Sequence, residues 1–155
     1  MKLTNDLREF IESLNSHAVE YLVVGAHCLA YHGISRYTGD IDFFVRISAD
    51  NAAGLAKVIA DFGFESTGLQ TRDFLEPDQI IQLGVAPYRI DLLTGIDGVK
   101  FEDAWASRVP GQIDGLPVHF LAKNLLIQNK LAAGRPQDIA DVARLRESSY
   151  GETRR

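Results

Sequence analysis

Leu7, Phe10, Ile11 and Leu14 recur at helical spacing behind Thr4 and predict an amphipathic helix over 4 to about 16, with the threonine as its cap. Four apolar residues, Tyr21-Leu22-Val23-Val24, run up to Gly25 and read as a short buried strand. A short helix over 26–32 follows the glycine. The period falls to two over 40–47, a second strand. Ser48 then caps a helix over 50–62 whose inner face carries Leu55, Val58, Ile59 and Phe62. The stretch 68–79, with Arg72, Asp73 and Pro77, reads as a loop. Two more strands are expected at 80–85 and 88–93, joined through Ala86-Pro87. A hairpin is expected within 108–120 around Asp114-Gly115.

Two helices, 121–133 and 137–146, close the pattern. Gly134-Arg135-Pro136 separates them, a glycine suited to a helix C-cap and a proline suited to the first turn of the next helix. The fold class is therefore α+β: a mixed β-sheet flanked by helices, with a short C-terminal helical hairpin. Residues 1–120 form the core, and 121–155 a hairpin packed on it, in one compact unit. No repeat, low-complexity stretch or linker interrupts this.

Composition supports a single core, since 155 residues at 46% hydrophobic content suffice for one domain. No apolar run approaches the ~20 residues of a membrane span. The first residues lack the charged and apolar regions of a signal peptide. The single Cys28 leaves no internal disulfide and no cysteine-rich zinc site. A cytoplasmic protein with no membrane partner is the expectation.

Net charge is −5 but uneven. Residues 1–120 hold 9 Lys/Arg against 17 Asp/Glu, and residues 121–155 hold 7 against 4. An acidic core is a poor general binder of nucleic acid. The basic C-terminal segment could face an anion, and a solvated helix face explains it as well.

The chemistry of the chain concentrates in Thr38-Gly39-Asp40-Ile41-Asp42-Phe43. Residues two apart on a strand share a face, so Asp40 and Asp42 stand together while Ile41 and Phe43 turn away. Paired carboxylates repel and are best tolerated around a cation, and hard ions such as Mg²⁺ take oxygen ligands of this kind. A solvent-exposed strand end with two acidic residues is the plainer alternative. Asp91 lies in the apolar strand Tyr88-Arg89-Ile90-Asp91-Leu92-Leu93, where a charge needs a reason. It is either a third carboxylate of the same set or the partner of Arg89 in a structural pair. Gly25, opening a helix, would let a phosphate approach backbone N–H groups.

Together these motifs resemble the polymerase-beta-like nucleotidyltransferase superfamily: an apolar strand, a glycine turn (Gly25-Ala26), a helix, an Asp-x-Asp on the next strand and a later aspartate. The string Arg36-x-Thr38-x-Asp40-x-Asp42 and the segment from Lys123 and Lys130 through Gly134-Arg135-Pro136-Gln137-Asp138-Ile139-Ala140-Asp141 look most like the AbiEii-like abortive-infection nucleotidyltransferases. The resemblance spans about residues 20–146. It implies transfer of NMP from an NTP to an acceptor hydroxyl with release of pyrophosphate. Asp40, Asp42 and Asp91 would be the catalytic and metal-binding residues for two Mg²⁺ ions, with Mn²⁺ as an alternative.

Gly25, Ala26, Arg36, Thr38, Lys123 and Lys130 would serve the nucleotide. The acceptor is a tRNA, a protein or a small molecule, and a homodimer stays open. The turn departs from the family pattern at Ala26, where glycine or serine is usual. The alternatives are a catalytically degenerate nucleotide- or partner-binding protein of a toxin–antitoxin type system, or an antibiotic adenylyltransferase.

The remaining candidates have plainer roles. His17, His27, His32 and His119 form no ligand cluster in sequence, Cys28 reads as core, and Ser35 lacks the context of a nucleophile. Asp138 and Asp141 sit near a helix start, where the dipole favours negative charge.

Overall fold

The computed structural model describes residues 3–36, 38–62, 68–84 and 89–148. Six helices flank an open six-stranded mixed sheet. Along the chain these are α1 (Asn5–Ser16), β1 (Tyr21–Val24), α2 (Gly25–Tyr31), β2 (Ile41–Val45), α3 (Ala49–Asp61), β3 (Ile80–Leu83), β4 (Ile90–Leu93), α4 (Phe101–Ala106), β5 (Val109–Ile113), β6 (Leu116–Phe120), α5 (Lys123–Ala133) and α6 (Pro136–Glu147). The strand order is β3-β4-β2-β1-β6-β5. β1 runs antiparallel to β2 and parallel to β6, while β2 runs parallel to β4.

Local chemistry explains the well-formed elements. Thr4 Oγ1 accepts from the Leu7 amide, and α1 buries Leu7, Phe10, Ile11 and Leu14. Ser48 accepts from the Asn51 amide and opens α3 in the same way. β2 alternates as expected, with Ile41 and Phe43 fully buried. The Phe10 ring packs 5.9 Å from Phe43 on one face of the sheet, and Phe101 of α4 packs 5.0 Å from Phe44 on the other. Because Asp42 shares its face with Phe44, it projects on the α4 side.

Several expectations are refined. β2 begins at Ile41, leaving Asp40 just ahead of it, and α2 begins at Gly25 rather than Ala26. The loop over 68–79 contains a 3-10 turn, Thr71–Phe74, that sinks Phe74 into the core. The sequence pattern assigned no helix to α4; at six residues it is too short for periodicity to register, although Phe101, Ala104 and Trp105 do fall on one face. The expected link through Ala86-Pro87 lies outside the described residues. No helix among the described residues is long and apolar enough to cross a membrane.

Gly134 closes α5 in the left-handed conformation, φ 68°, and Pro136 starts α6, which folds the hairpin as expected. Asp138 does serve the helix start, accepting from the Arg135 amide at 3.2 Å, but the interior of the hairpin gives both Asp138 and Asp141 further partners. Both are buried, Asp141 completely. Lys130 Nζ lies 2.9 Å from Asp141 and 3.4 Å from Asp138, Arg135 Nε donates to Asp138 at 2.7 Å, and Gln137 donates to Asp141 at 3.0 Å. Arg36 reaches over from the segment before β2 and forks onto Asp141 at 2.5 and 3.0 Å. This network fastens the hairpin to the core.

Burial alone would push the Asp141 carboxyl up. Hydrogen bonds from Arg36, Lys130 and Gln137 and the Lys130 charge outweigh it and hold the group well below the usual carboxylate range. Removing one partner of a buried ion pair strands the other, so Asp141→Ala should lose about 3–5 kcal/mol of stability in urea unfolding. A folded pKa below the unfolded one means the contribution is complete above about pH 4 and is lost as pH falls further. The acid limb of the wild-type stability curve should therefore flatten in the variant.

Candidate functional site

β2 and β4 run parallel in a register that sets Asp42 level with Asp91. Asp91 is buried and Asp42 half-buried. Asp40 stands just before β2, where the Thr38 hydroxyl accepts from the Asp40 amide at 3.0 Å and donates to its carbonyl at 3.3 Å. Thr38 thus shapes the turn that delivers Asp40. The three aspartates predicted to act together are brought together.

Arg89 joins them. Its Nε donates to Asp91 Oδ1 at 2.8 Å and its Nη2 to Asp91 Oδ2 at 3.3 Å. The same Nη2 lies 3.3 Å from Asp40 Oδ2, and the Arg89 amide donates to Asp40 Oδ1 at 3.1 Å. The Arg89–Asp91 pair that sequence alone offered as an alternative is real, and it coexists with the carboxylate cluster.

Asp42 carries the imbalance. Burial, then the hydrogen bond and charge of Asp91, then the charge of Asp40 push its carboxyl up to about 7, against a downward pull from Arg89. A hydrogen bond between two carboxyls requires a proton on one of them. The neutral form of Asp42 is favoured accordingly.

Gly25 has a demand on it that sequence did not reveal. A Cβ there would stand 2.1 Å from Asp42 Oδ2, and φ is +67°. Only glycine lets the β1–α2 turn close over the carboxylate in this conformation. The glycine read as a phosphate approach is thus first a seat for Asp42. Ala26 follows it in the first turn of α2.

His27 was set aside in the sequence, because nothing in its spacing marks a ligand. It is buried, and its ring hydrogen-bonds the Asp40 backbone. Burial holds it below the ordinary histidine range against that bond, so it is neutral at pH 7.

The other predicted nucleotide contacts have different partners. Lys123 and Lys130 are buried, but Lys123 donates to Ser148 at 3.0 Å while Lys130 serves Asp138 and Asp141. Arg36 is committed to Asp141. Among the described residues none of the three pairs with Asp40, Asp42 or Asp91.

For a divalent ion the donor chemistry fits: three carboxylates, oxygen ligands throughout, and one guanidinium already standing in as a cation. As the side chains stand, no three His, Cys, Asp or Glu among the described residues are set as a metal group. Arg89 holds the space between Asp40 and Asp91. Compared with known proteins, the chain matches no family model and no curated protein.

The Asp42–Asp91 pair makes a testable stability signature. A carboxyl whose folded pKa is raised contributes fully below its unfolded pKa and loses that contribution as pH rises to the folded one. Wild-type stability should fall between about pH 4 and 7. Asp42→Asn keeps the shape, stays neutral and can still donate to Asp91. It should lack that fall and exceed wild type by on the order of 2 kcal/mol above pH 7 in denaturant titrations. Parallel curves for the two proteins would refute the raised Asp42 carboxyl.

Proposed function

We propose that the chain is a metal-dependent nucleotidyltransferase that moves NMP from an NTP to an acceptor hydroxyl with release of pyrophosphate. The observation that carries the reading is the level pairing of Asp42 with Asp91, with Asp40 beside them and the Gly25 turn closed over Asp42. The motif resemblance to the AbiEii-like nucleotidyltransferases points the same way. Mg²⁺ or Mn²⁺ is the expected cofactor, held by Asp40, Asp42 and Asp91. When bound, such ions neutralise developing charge on the attacking and leaving oxygens of an in-line displacement.

The chain's own residues have separable tasks. In this reading Asp91, level with Asp42 across the sheet, would receive the acceptor's hydroxyl proton. Thr38 and His27 fix the Asp40 backbone, which keeps the carboxylates in register. The Gly25-Ala26 amides are the phosphate-facing groups of this reading. Lys130 and Arg36 support the hairpin through Asp141, and their service to the nucleotide would require that network to open. A cytoplasmic setting, with its NTP pool, is the natural one, and the acceptor is a tRNA, a protein or a small molecule.

A second reading has its own observation. Arg89 already pairs with Asp40 and Asp91, and Ala26 supplies no serine hydroxyl. A degenerate protein that keeps the fold for nucleotide or partner binding, as in a toxin–antitoxin pair, would look the same.

Incubation with α-labelled NTPs, Mg²⁺ and candidate acceptors separates the two. The enzyme reading expects label on an acceptor and a loss of at least about a hundredfold in kcat/KM for Asp42→Asn. Binding of NTP with no transfer to any acceptor class would favour the degenerate protein. Absence of both transfer and NTP binding would sink the nucleotide reading altogether.

A further inference from the structure

We propose that Arg89 is the resident counter-cation of the carboxylate site, competing with the divalent ion for Asp40 and Asp91 and released to the phosphates when a nucleotide arrives. The inference rests on the nucleotidyltransferase reading and adds an order of events to it: the ion binds well only with the nucleotide.

The geometry is specific. Arg89 engages all four oxygens of the two carboxylates: Asp91 Oδ1 and Oδ2 through Nε and Nη2, Asp40 Oδ2 through Nη2, and Asp40 Oδ1 through its own amide. A cation cannot take these oxygens at full strength while the guanidinium holds them. Asp42, the remaining carboxylate, is turned against Gly25.

The lock is also releasable. The Arg89 and Asp40 side chains are each 31% exposed, and pairs of this exposure are weak in water, so this arm lets go first; the Asp91 arm, on a carboxylate 10% exposed, needs the phosphates to replace it. Arg36, equally exposed at 32%, forks instead onto a completely buried carboxylate that Lys130 also holds. A triphosphate offers a guanidinium a bidentate partner of higher charge than either aspartate. Drawing Arg89 onto the phosphates would uncover Asp40 and Asp91 for the ion and add a positive charge to the nucleotide side. Binding of ion and nucleotide then favour each other reciprocally.

Arg89→Gln isolates this role, since glutamine keeps a polar, hydrogen-bonding side chain and removes the charge. Mn²⁺ uptake by the full chain, followed through the free-ion EPR signal, is measured alone and with a non-hydrolysable NTP analogue. Wild type should bind Mn²⁺ weakly alone and more tightly with the analogue. Arg89→Gln should bind Mn²⁺ alone about tenfold tighter than wild type and lose most of the analogue's effect. Arg89→Lys, a point charge that cannot span both carboxylates, should fall between them and serves if the glutamine variant misfolds by circular dichroism.

A folded Arg89→Gln or Arg89→Lys that binds Mn²⁺ alone no tighter than wild type overturns the proposal. If wild type nevertheless binds Mn²⁺ with the analogue, the nucleotidyltransferase reading survives that result. Should no variant take up Mn²⁺ under either condition, both fall together.

Discussion

Two carboxylates level on neighbouring parallel strands cannot both be charged and half out of water without a cation or a proton between them. That constraint, at Asp42 and Asp91, organises its surroundings. It brings Arg89 across from the next position on the same face of β4 and raises Asp42 toward neutrality. It also accounts for a glycine at the β1–α2 junction, because Asp42, crowded by Asp91, lodges where any Cβ at residue 25 would be. The sheet order β4-β2-β1 is what makes these neighbours, and the burial of Ile41 and Phe43 on the opposite face fixes which way the carboxylates point.

The C-terminal hairpin shows the same physics with the opposite sign. Asp141 is more deeply buried than Asp42, yet its carboxyl is held down rather than pushed up. The difference is the company: Arg36 and Lys130 for Asp141, two further carboxylates and one arginine for Asp42. A buried charge with surplus counter-charge is a structural fastening. A carboxylate with a deficit is poised to accept something positive, which is why strongly perturbed groups in acidic clusters point toward function.

Much of this was legible along the chain. Helical periodicity behind Thr4 and Ser48, the apolar run of β1 and the Gly134-Arg135-Pro136 break are local signals. Asp114-Gly115 is another; it turns β5 into β6 as a hairpin. Asp40, Asp42 and Asp91 were legible as candidates because a charge in or beside an apolar strand is locally anomalous.

What was not legible is long-range or short-lived in sequence. Arg36 and Asp141 lie 105 positions apart, so no window suggests their fork. α4 is too brief to show a period, and the demand on Gly25 comes from a side chain on another strand. The partners of Lys130 were hidden for the same reason: it looked like spare positive charge because its two carboxylate partners read as helix-dipole residues.

Ala26 and Arg89 bear on the enzyme question unequally. Replacing a serine by alanine at a turn removes one hydroxyl donor and leaves the backbone N–H in place, a loss the rest of a phosphate cradle can absorb. Arg89 acts on the carboxylates themselves. Asparagine in place of Asp42 would relieve the repulsion there, and the half-buried Arg89 that spans Asp40 and Asp91 is what any incoming cation has to displace. The two readings proposed above therefore divide at Arg89, not at Ala26.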